Sequence, residues 1–278
     1  PEFDQDAIIE LLRLQTLEKP DGLLAVVFNE KVTNALLPWL ANVSYTNTYN
    51  VRTPELAAAG HSGTHFGTSE FDGGVELGQA IRAQGATRVA CSLHYVNWPE
   101  GIMRCDGVAA AFPPGAVVNV RTTHASSPGV LKSQVNEILD NDTTINGWVT
   151  LDADNGAVIA DAFAERGVQY PLAAFDWSAR LAEKMAVGNV TAAAHQLNVA
   201  YTYISSMYLT LAALTDQRLM NDWVKSGPNV ITKDTMGPFL CEDAGYPICD
   251  VPVVNNGGSS QIIVELASSK DHTAAIAS

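Results

Sequence analysis

Charged side chains are scarce in this chain of 278 residues. Only 17% of the residues are Asp, Glu, Lys or Arg, against roughly 25% in an ordinary globular protein. Acidic residues number 30 and basic ones 16, so the net charge is −14 at neutral pH. No Lys- or Arg-rich run and no basic helix face is present. Because such a chain repels phosphate backbones, direct nucleic-acid binding is not expected.

Cysteine is also sparse, and the four residues are Cys91, Cys105, Cys241 and Cys249. None of them stands in a Cys-x-x-Cys pair, which disfavours a thiolate zinc site, and four are too few for a disulfide scaffold. Cys241 and Cys249 flank a turn-rich stretch and could form a bridge in an oxidising compartment. They could equally be two small apolar side chains in a core.

The chain has no long run of purely apolar residues. The region from Met185 to Thr215 contains no Asp, Glu, Lys or Arg, but it holds too many Asn, Gln, Ser and Thr side chains for a lipid-facing helix. No membrane span is therefore expected. Apolar residues nevertheless make up 47% of the chain, which predicts a folded protein with a sizeable core.

The residue pattern predicts an α+β fold that is rich in helix, with short strands and long polar loops. From about Val190 to Val224 the apolar positions recur at helical spacing, and the opposite face is small and uncharged. This stretch is predicted to be one long helix, buried on nearly all sides. Residues 42–74, dense in Asn, Thr, Ser and Gly, are predicted to be mainly loop.

No internal repeat and no linker divides the chain, so a single globular domain is predicted from residue 4 to residue 278. Residues 1–3, Pro-Glu-Phe, look like a cloning remnant, since Glu-Phe is encoded by a common restriction site.

Two histidines four residues apart, His61 and His65, could bind one divalent metal ion through their imidazole nitrogens. The string His-Ser-Gly-Thr-His resembles the beginning of the metal-binding motif of the kynurenine formamidase-like cyclase family, His-x-Gly-Thr-His-x-Asp-x-Pro-x-His. The resemblance implies a metal-bound water that attacks an amide. It covers five residues only, because the motif's Asp, Pro and last His positions hold Gly67, Ser69 and Phe71.

Other catalytic patterns are incomplete. Thr64 replaces the second glycine of a nucleophile elbow around Ser62. The acidic segment 152–156 has its glycine one position too early for a calcium loop, so a turn in which Asp154 caps a helix is predicted instead. No glycine pattern of a phosphate-binding loop occurs. His195 is predicted to be a core histidine on the long helix.

Two functions are compatible with these features. The first is a non-enzymatic structural or assembly protein, plausibly a viral capsid or virion-surface component, which associates with itself and needs no cofactor. Low charge, long polar loops and an uncharged helix favour it, by analogy alone. The alternative is a metal-dependent hydrolase that uses the His61/His65 loop with a divalent metal ion. We prefer the first, and therefore expect protein subunits as partners, a location in the virion and no catalytic activity.

Overall fold

The computed structural model describes residues 5–27, 30–40, 43–51, 63–95, 98–217 and 223–240. These residues group into two compact units. The four-stranded unit comprises the described residues in 5–68 and 198–226, and the six-stranded unit those in 69–197 and 227–240. The chain passes from one unit to the other without any linker-like composition, and a single domain from residue 4 to residue 278 stays a prediction.

The four-stranded unit is a parallel sheet with helices packed against it. In the numbering of the whole chain, its elements are α1 (Gln5–Leu17), β1 (Gly22–Val26), α2 (Glu30–Leu40), β2 (Tyr45–Tyr49), β3 (His65–Gly67), α8 (Asn198–Thr215) and β9 (Trp223–Lys225). The strand order is β1-β2-β3-β9, and every neighbouring pair is parallel. One small core, around Val27, Val32 and Leu36, lies beneath α1 and α2, and a second forms around Phe66 and Tyr201.

The six-stranded unit alternates strands and helices along the chain. Its elements are α3 (Glu70–Ala83), β4 (Val89–Leu93), α4 (Pro99–Ala110), β5 (Val117–Arg121), α5 (Pro128–Asn141), β6 (Gly147–Thr150), α6 (Ala153–Arg166), β7 (Leu172–Phe175), α7 (Ala179–Ala186), β8 (Ala192–His195), β10 (Asn229–Ile231) and a 3₁₀ helix (Gly237–Phe239). The strand order is β5-β4-β6-β7-β8-β10. All pairs are parallel except β8–β10.

The central strands of this sheet are buried on both faces. All residues of β4, β6, β7 and β8 are buried, as expected for parallel strands covered by helices on both sides. Trp148 packs into the core formed with α5, α6 and α7, whereas its neighbour Val149 packs into the core formed with α3 and α4. The alternation of side chains along a strand thus supplies two separate cores from one sheet.

The predicted α+β, helix-rich class is confirmed, but the long buried helix is not. Residues that had been assigned to its beginning form β8, and residues near its end form β9. The small alanines of β8 fit between α3 and α7 as a buried strand, and Leu197, with a φ of 58°, prevents a continuous helix. Of α8 itself only Ala200, Tyr201 and Ser205 are buried.

Two local predictions also change. Of residues 42–74, the structure describes 43–51 and 63–74, and these are not mainly loop, because they include β2, β3 and the start of α3. The side chain that caps α6 is Asp152 and not Asp154: its Oδ1 accepts from the backbone N–H of Asn155 at 2.9 Å. Gly167 ends this helix, with a φ of 74°. No helix in the described ranges is both long and apolar enough to cross a membrane.

Candidate ligand-binding site

Polar side chains gather where the parallel strands of the six-stranded sheet end. Because carboxyl ends of parallel strands share one edge of a sheet, the residues that follow β4 to β8 lie side by side. We call them, with the start of α4, the carboxyl-edge cluster: His94, Tyr95, Trp98, His124, Asp152, Asp176 and Gln196. In the sheet, β5 lies on one side of β4 and β6 on its other side. The order of the strands therefore reverses at β4. In open α/β sheets, ligands bind outside the carboxyl ends at such a reversal.

Four aromatic and imidazole rings form one side of this cluster. The ring centroid of His94 lies 4.4 Å from that of Tyr95, 4.8 Å from that of Trp98 and 5.7 Å from that of His124. Tyr95 and Trp98 meet edge to face at 5.4 Å. Tyr95 and Trp98 are only partly buried, so they present ring surface at the edge of the sheet.

Two aspartates supply the other side of the cluster. Asp176 follows β7 in the left-handed backbone region, with a φ of 66°, a conformation that few residues other than Gly, Asn and Asp adopt. Its Oδ1 accepts a hydrogen bond from Gln196 Nε2 at 2.6 Å. Asp152 Oδ1 lies 3.8 Å from His124 Nε2. Burial raises the pKa of Asp152, and the charge of Asp176 raises it further, against the lowering effect of the Asn155 N–H.

A buried ion pair lies beneath the rings. Arg104, on α4, donates from Nε to Glu70 Oε2 at 2.5 Å and from Nη1 to the Leu151 carbonyl at 3.1 Å. Its guanidinium also lies 4.2 Å from the ring centroid of Phe175 and 5.3 Å from that of Trp98. Burial raises the pKa of Glu70 against the opposing charge of Arg104. Burial alone would lower the pKa of Arg104, but the carboxylates around it produce a net rise.

Glycines allow this ion pair to form. A Cβ on Gly74 would lie 2.0 Å from the carbonyl oxygen of Arg104, and one on Gly107 would lie 2.1 Å from that of Phe71. Since real Cβ atoms do not approach so closely, only glycine lets α3 and α4 pack at this distance. Glu70 on α3 and Arg104 on α4 therefore meet.

A disulfide also connects α4 to the sheet. Cys91 of β4 is bonded to Cys105 of α4, with their Cα atoms 5.8 Å apart. Both side chains are buried, and the bond holds the strand that carries His94 against the helix that begins beside Trp98. The sequence analysis did not predict this pair; the bridge that it considered, Cys241–Cys249, lies outside the described residues.

His94 is uncharged at neutral pH. Burial, followed by the positive charges of His124 and Arg104, lowers its pKa to about 3. Its Nδ1 is buried and has no hydrogen-bond partner in the described part of the chain. The imidazole therefore contributes a neutral, partly apolar ring to the cluster.

The structure does not test the predicted metal site. His61 lies outside the described residues. His65 is buried in β3, and its Nδ1 lies 2.9 Å from Thr48 Oγ1. Within the described ranges, no group of three or more His, Cys, Asp or Glu side chains could hold a metal ion. Metal binding by His61 and His65 stays a prediction.

The carboxyl-edge cluster was not predicted, although the sequence contains a usable signal for it. Short buried runs are followed at once by polar or aromatic residues: Leu93 by His94, Leu151 by Asp152, and Phe175 by Asp176. This repeated pattern of a buried run and then a polar residue marks strand ends in a parallel sheet. Gln196, which follows β8, is a fourth example of this pattern. It was not recognised, because β8 was predicted to be part of a long helix.

Solved structures with the same fold are sugar-binding proteins. A carbohydrate transporter protein from Acidothermus cellulolyticus in complex with myo-inositol is 20% identical, with a TM-score of 0.75 over 83% of this chain and 80% of that one. GanP, a glucose-galactose binding protein from Geobacillus stearothermophilus, is 14% identical, with a TM-score of 0.71 over 84% and 83%. An ABC transporter solute-binding protein from Burkholderia graminis in complex with D-arabinose is 16% identical, with a TM-score of 0.71 over the same shares. No protein-family model and no curated protein sequence matches the chain.

These similarities overturn the functions predicted from sequence. The prediction of a structural or assembly protein of a capsid or virion surface is wrong, and so is the metal-dependent hydrolase. Low charge and long polar segments are surface properties that unrelated folds share, so they could not discriminate between capsid proteins and others. The fold of this chain is that of the ABC-transporter sugar-binding proteins that it resembles.

Proposed function

We propose that this protein binds a small carbohydrate at the carboxyl-edge cluster. The observation that carries the proposal is the pairing of partly exposed rings with carboxylates and an amide at one sheet edge. Sugars present apolar C–H faces, which pack on rings such as Tyr95 and Trp98, and hydroxyl groups, which donate to carboxylates such as Asp152 and Asp176. A few convergent polar groups beside aromatic surface are typical of small-molecule sites.

Two further observations support the proposal. The cluster lies where the strand order reverses, which is the position that ligands occupy in open α/β sheets. In addition, structures with this fold were solved with myo-inositol, D-arabinose and D-allose bound. These ligands belong to those proteins, and they define the first compounds to test on this one.

The same proposal implies a compartment and a partner. The Cys91–Cys105 disulfide is typical of proteins that fold in an oxidising environment outside the cytoplasm. There the protein would deliver its ligand to an ABC transporter in the membrane, which is the protein partner that this function needs. Self-association, which the low charge content predicts, is a separate proposal that light scattering at high protein concentration would test.

A panel of monosaccharides and cyclitols tests the proposed function. Each compound, beginning with myo-inositol, D-arabinose, D-allose, D-glucose and D-galactose, is added during thermal unfolding, and those that raise the Tm are titrated by calorimetry. Since a ligand that binds only the folded state stabilises it by an amount that grows with the logarithm of its concentration over Kd, a micromolar binder at 1 mM raises the free energy of unfolding by about 4 kcal/mol. Absence of any stabilisation by the panel contradicts the proposal.

Trp98→Ala locates the site. Removing this ring is expected to weaken binding of the best compound by about 10-fold or more, because stacked aromatic surface is lost. Tyr203→Ala is the matched control, since Tyr203 is an exposed aromatic residue on α8 in the other unit. Equal losses in the two variants would place the site elsewhere.

A further inference from the structure

Carboxylates outnumber cations around the carboxyl-edge cluster. Among the described residues, the charged groups that bear on the cluster are the acids Glu70, Glu100, Asp152, Asp154 and Asp176 and the bases Arg104 and Arg121. Arg104 is bonded to Glu70 and covered by two rings. Arg121, which is exposed, donates to the Tyr95 carbonyl.

Neither cation forms an ion pair within 4.0 Å with the two aspartates at the strand ends, although the charge of Asp176 is close enough to Arg104 to raise its pKa. In the described part of the chain, Asp152 and Asp176 make no ion pair with Lys or Arg, and the nearest basic group to Asp152 is His124 Nε2 at 3.8 Å. His94, held neutral by burial and by its neighbours, does not supply a positive charge. Among the described residues, the Asp176 carboxylate accepts one hydrogen bond, from the neutral side chain of Gln196.

One more carboxylate oxygen is unsatisfied. Glu70 is 3% exposed, and while its Oε2 binds Arg104, its Oε1 is buried without a hydrogen-bond partner among the described residues. The charge of Asp176 raises the pKa of Glu70, so the two carboxylates are close enough to repel each other. A ligand that covers this edge would remove water from several carboxylates at once, and this costs less when the ligand brings positive charge as well as hydrogen-bond donors.

The rings beside these carboxylates also suit a cation. Tyr95 and Trp98 present their surface within one cluster, and the negative faces of aromatic rings attract ammonium groups. Aromatic rings and carboxylates together are the groups that bind alkylammonium ions in proteins.

We propose that the ligand is a carbohydrate that carries a primary ammonium group, an amino sugar or aminocyclitol, bound with its amine at Asp152 and Asp176. The inference rests on the proposed function, because it specifies which carbohydrates the same site prefers. It also follows that sugar acids and sugar phosphates are rejected, since their charge has the same sign as that of the site.

Matched pairs of ligands test the inference. Calorimetry compares D-glucosamine with D-glucose, D-galactosamine with D-galactose, and scyllo-inosamine with scyllo-inositol, with D-glucuronate and D-glucose 6-phosphate as anionic probes. In the best-binding pair, the amine is expected to bind about 10- to 100-fold more tightly than the hydroxyl compound, the gain typical of a hydrogen bond to a charged partner. The anions are expected not to bind.

Variants connect the preference to the two aspartates. Asp176→Asn and Asp152→Asn are each expected to reduce the ratio of amine to hydroxyl affinity to within about threefold, because the charge is lost and the side-chain shape is kept. Glu165→Gln, which removes an exposed carboxylate on α6 that pairs with Lys132, is the control and should leave the ratio unchanged.

The outcomes separate the two proposals. Equal or weaker binding of every amine, with hydroxyl sugars bound, overturns this inference and leaves carbohydrate binding intact. An amine preference that survives in both aspartate variants overturns the placement of the ammonium group. If neither member of any pair binds, the proposed function fails, and this inference with it.

Discussion

His94 illustrates how the surroundings of one side chain set its chemistry. It follows a buried strand and contacts Tyr95, Trp98 and His124 through its ring. Burial and two nearby bases hold its pKa near 3, whereas the unfolded chain restores a value of about 6.5. Between these two pKa values the imidazole is neutral in the folded protein and protonated in the unfolded chain. Low pH therefore lowers the free energy of unfolding through His94.

This difference predicts a pH dependence of stability. Above about pH 6.5 the imidazole is neutral in both states and contributes nothing. As the pH falls from 6.5 towards 3, only the unfolded state gains the proton, so the free energy of unfolding decreases. His94→Phe, which keeps a ring and removes the titration, is expected to lose less stability between about pH 7.5 and pH 4.5 than the wild type.

Urea unfolding at several pH values measures the effect. Burial raises the pKa of Glu70 and of Asp152, so those groups change stability in the opposite direction, becoming unfavourable as the pH rises. Glu70 and Asp152 are present in both the wild type and the variant. The difference between the two pH profiles therefore reports His94 alone. Parallel pH profiles would show that the imidazole is not held neutral in the folded state.

At the scale of elements, the contact between α3 and α4 determines where the charged and aromatic groups of the site lie. Gly74 and Gly107 let the backbones of the two helices come into contact. The disulfide at Cys105 attaches α4 to β4. Glu70 and Arg104 are buried as a consequence of this packing. The position of Trp98, which precedes α4, depends on the same contact.

A single methyl group at this contact is expected to destabilise the protein. In Gly107→Ala the new Cβ would meet the Phe71 carbonyl oxygen at 2.1 Å, so α3 and α4 must separate, at a loss of about 1–3 kcal/mol. Gly129→Ala is the control: this glycine also lies in a helix, and nothing lies within 4 Å of its added Cβ. The control is expected to remain within about 1 kcal/mol of wild type or to gain stability.

Urea unfolding and ligand titration together test the role of this contact. Gly107→Ala should also weaken carbohydrate binding, because the helix that carries Arg104 is displaced. Equal stability of the two glycine variants would contradict the close packing of the helices.

Elements differ in how far their sequence determines them. The start of α6 was predicted to within two residues, because a capping carboxylate acts locally. β8 was not predicted, since Ala192, Ala193 and Ala194 have high helix propensity and become a strand only through pairing with β7 and β10. The cluster was missed for the same reason: its residues meet only after the strands have been ordered in the sheet.

At the scale of the whole molecule, the net charge of −14 acts on every ligand that approaches. A field of this sign attracts cations and repels anions over about 10 Å at 0.1 M salt, and added salt screens it. The charge of the protein therefore reinforces the preference that the aspartates impose locally.

Varying the salt concentration separates the electrostatic part of the binding free energy from the part due to uncharged contacts. Between about 20 mM and 500 mM NaCl, the affinity for the best-binding amino sugar is expected to fall several-fold, whereas that for its hydroxyl partner should change little. Calorimetric titration of both compounds at each salt concentration measures the difference. The hydroxyl sugar is the internal control, and an equal response of the two compounds would contradict an electrostatic origin of the preference.

Two strands that complete the two sheets are close neighbours in the sequence: β9 and β10 both lie between residues 223 and 231. β9 is the edge strand beside β3, and β10 the edge strand beside β8. During synthesis, neither sheet can be finished until this short segment has left the ribosome, although most of both units emerges earlier. Until then β3 and β8, whose residues are buried in the finished sheets, are themselves the unpaired edges, and such edges are where nascent chains aggregate. A nascent chain that stops before Trp223 therefore lacks an edge strand in both units.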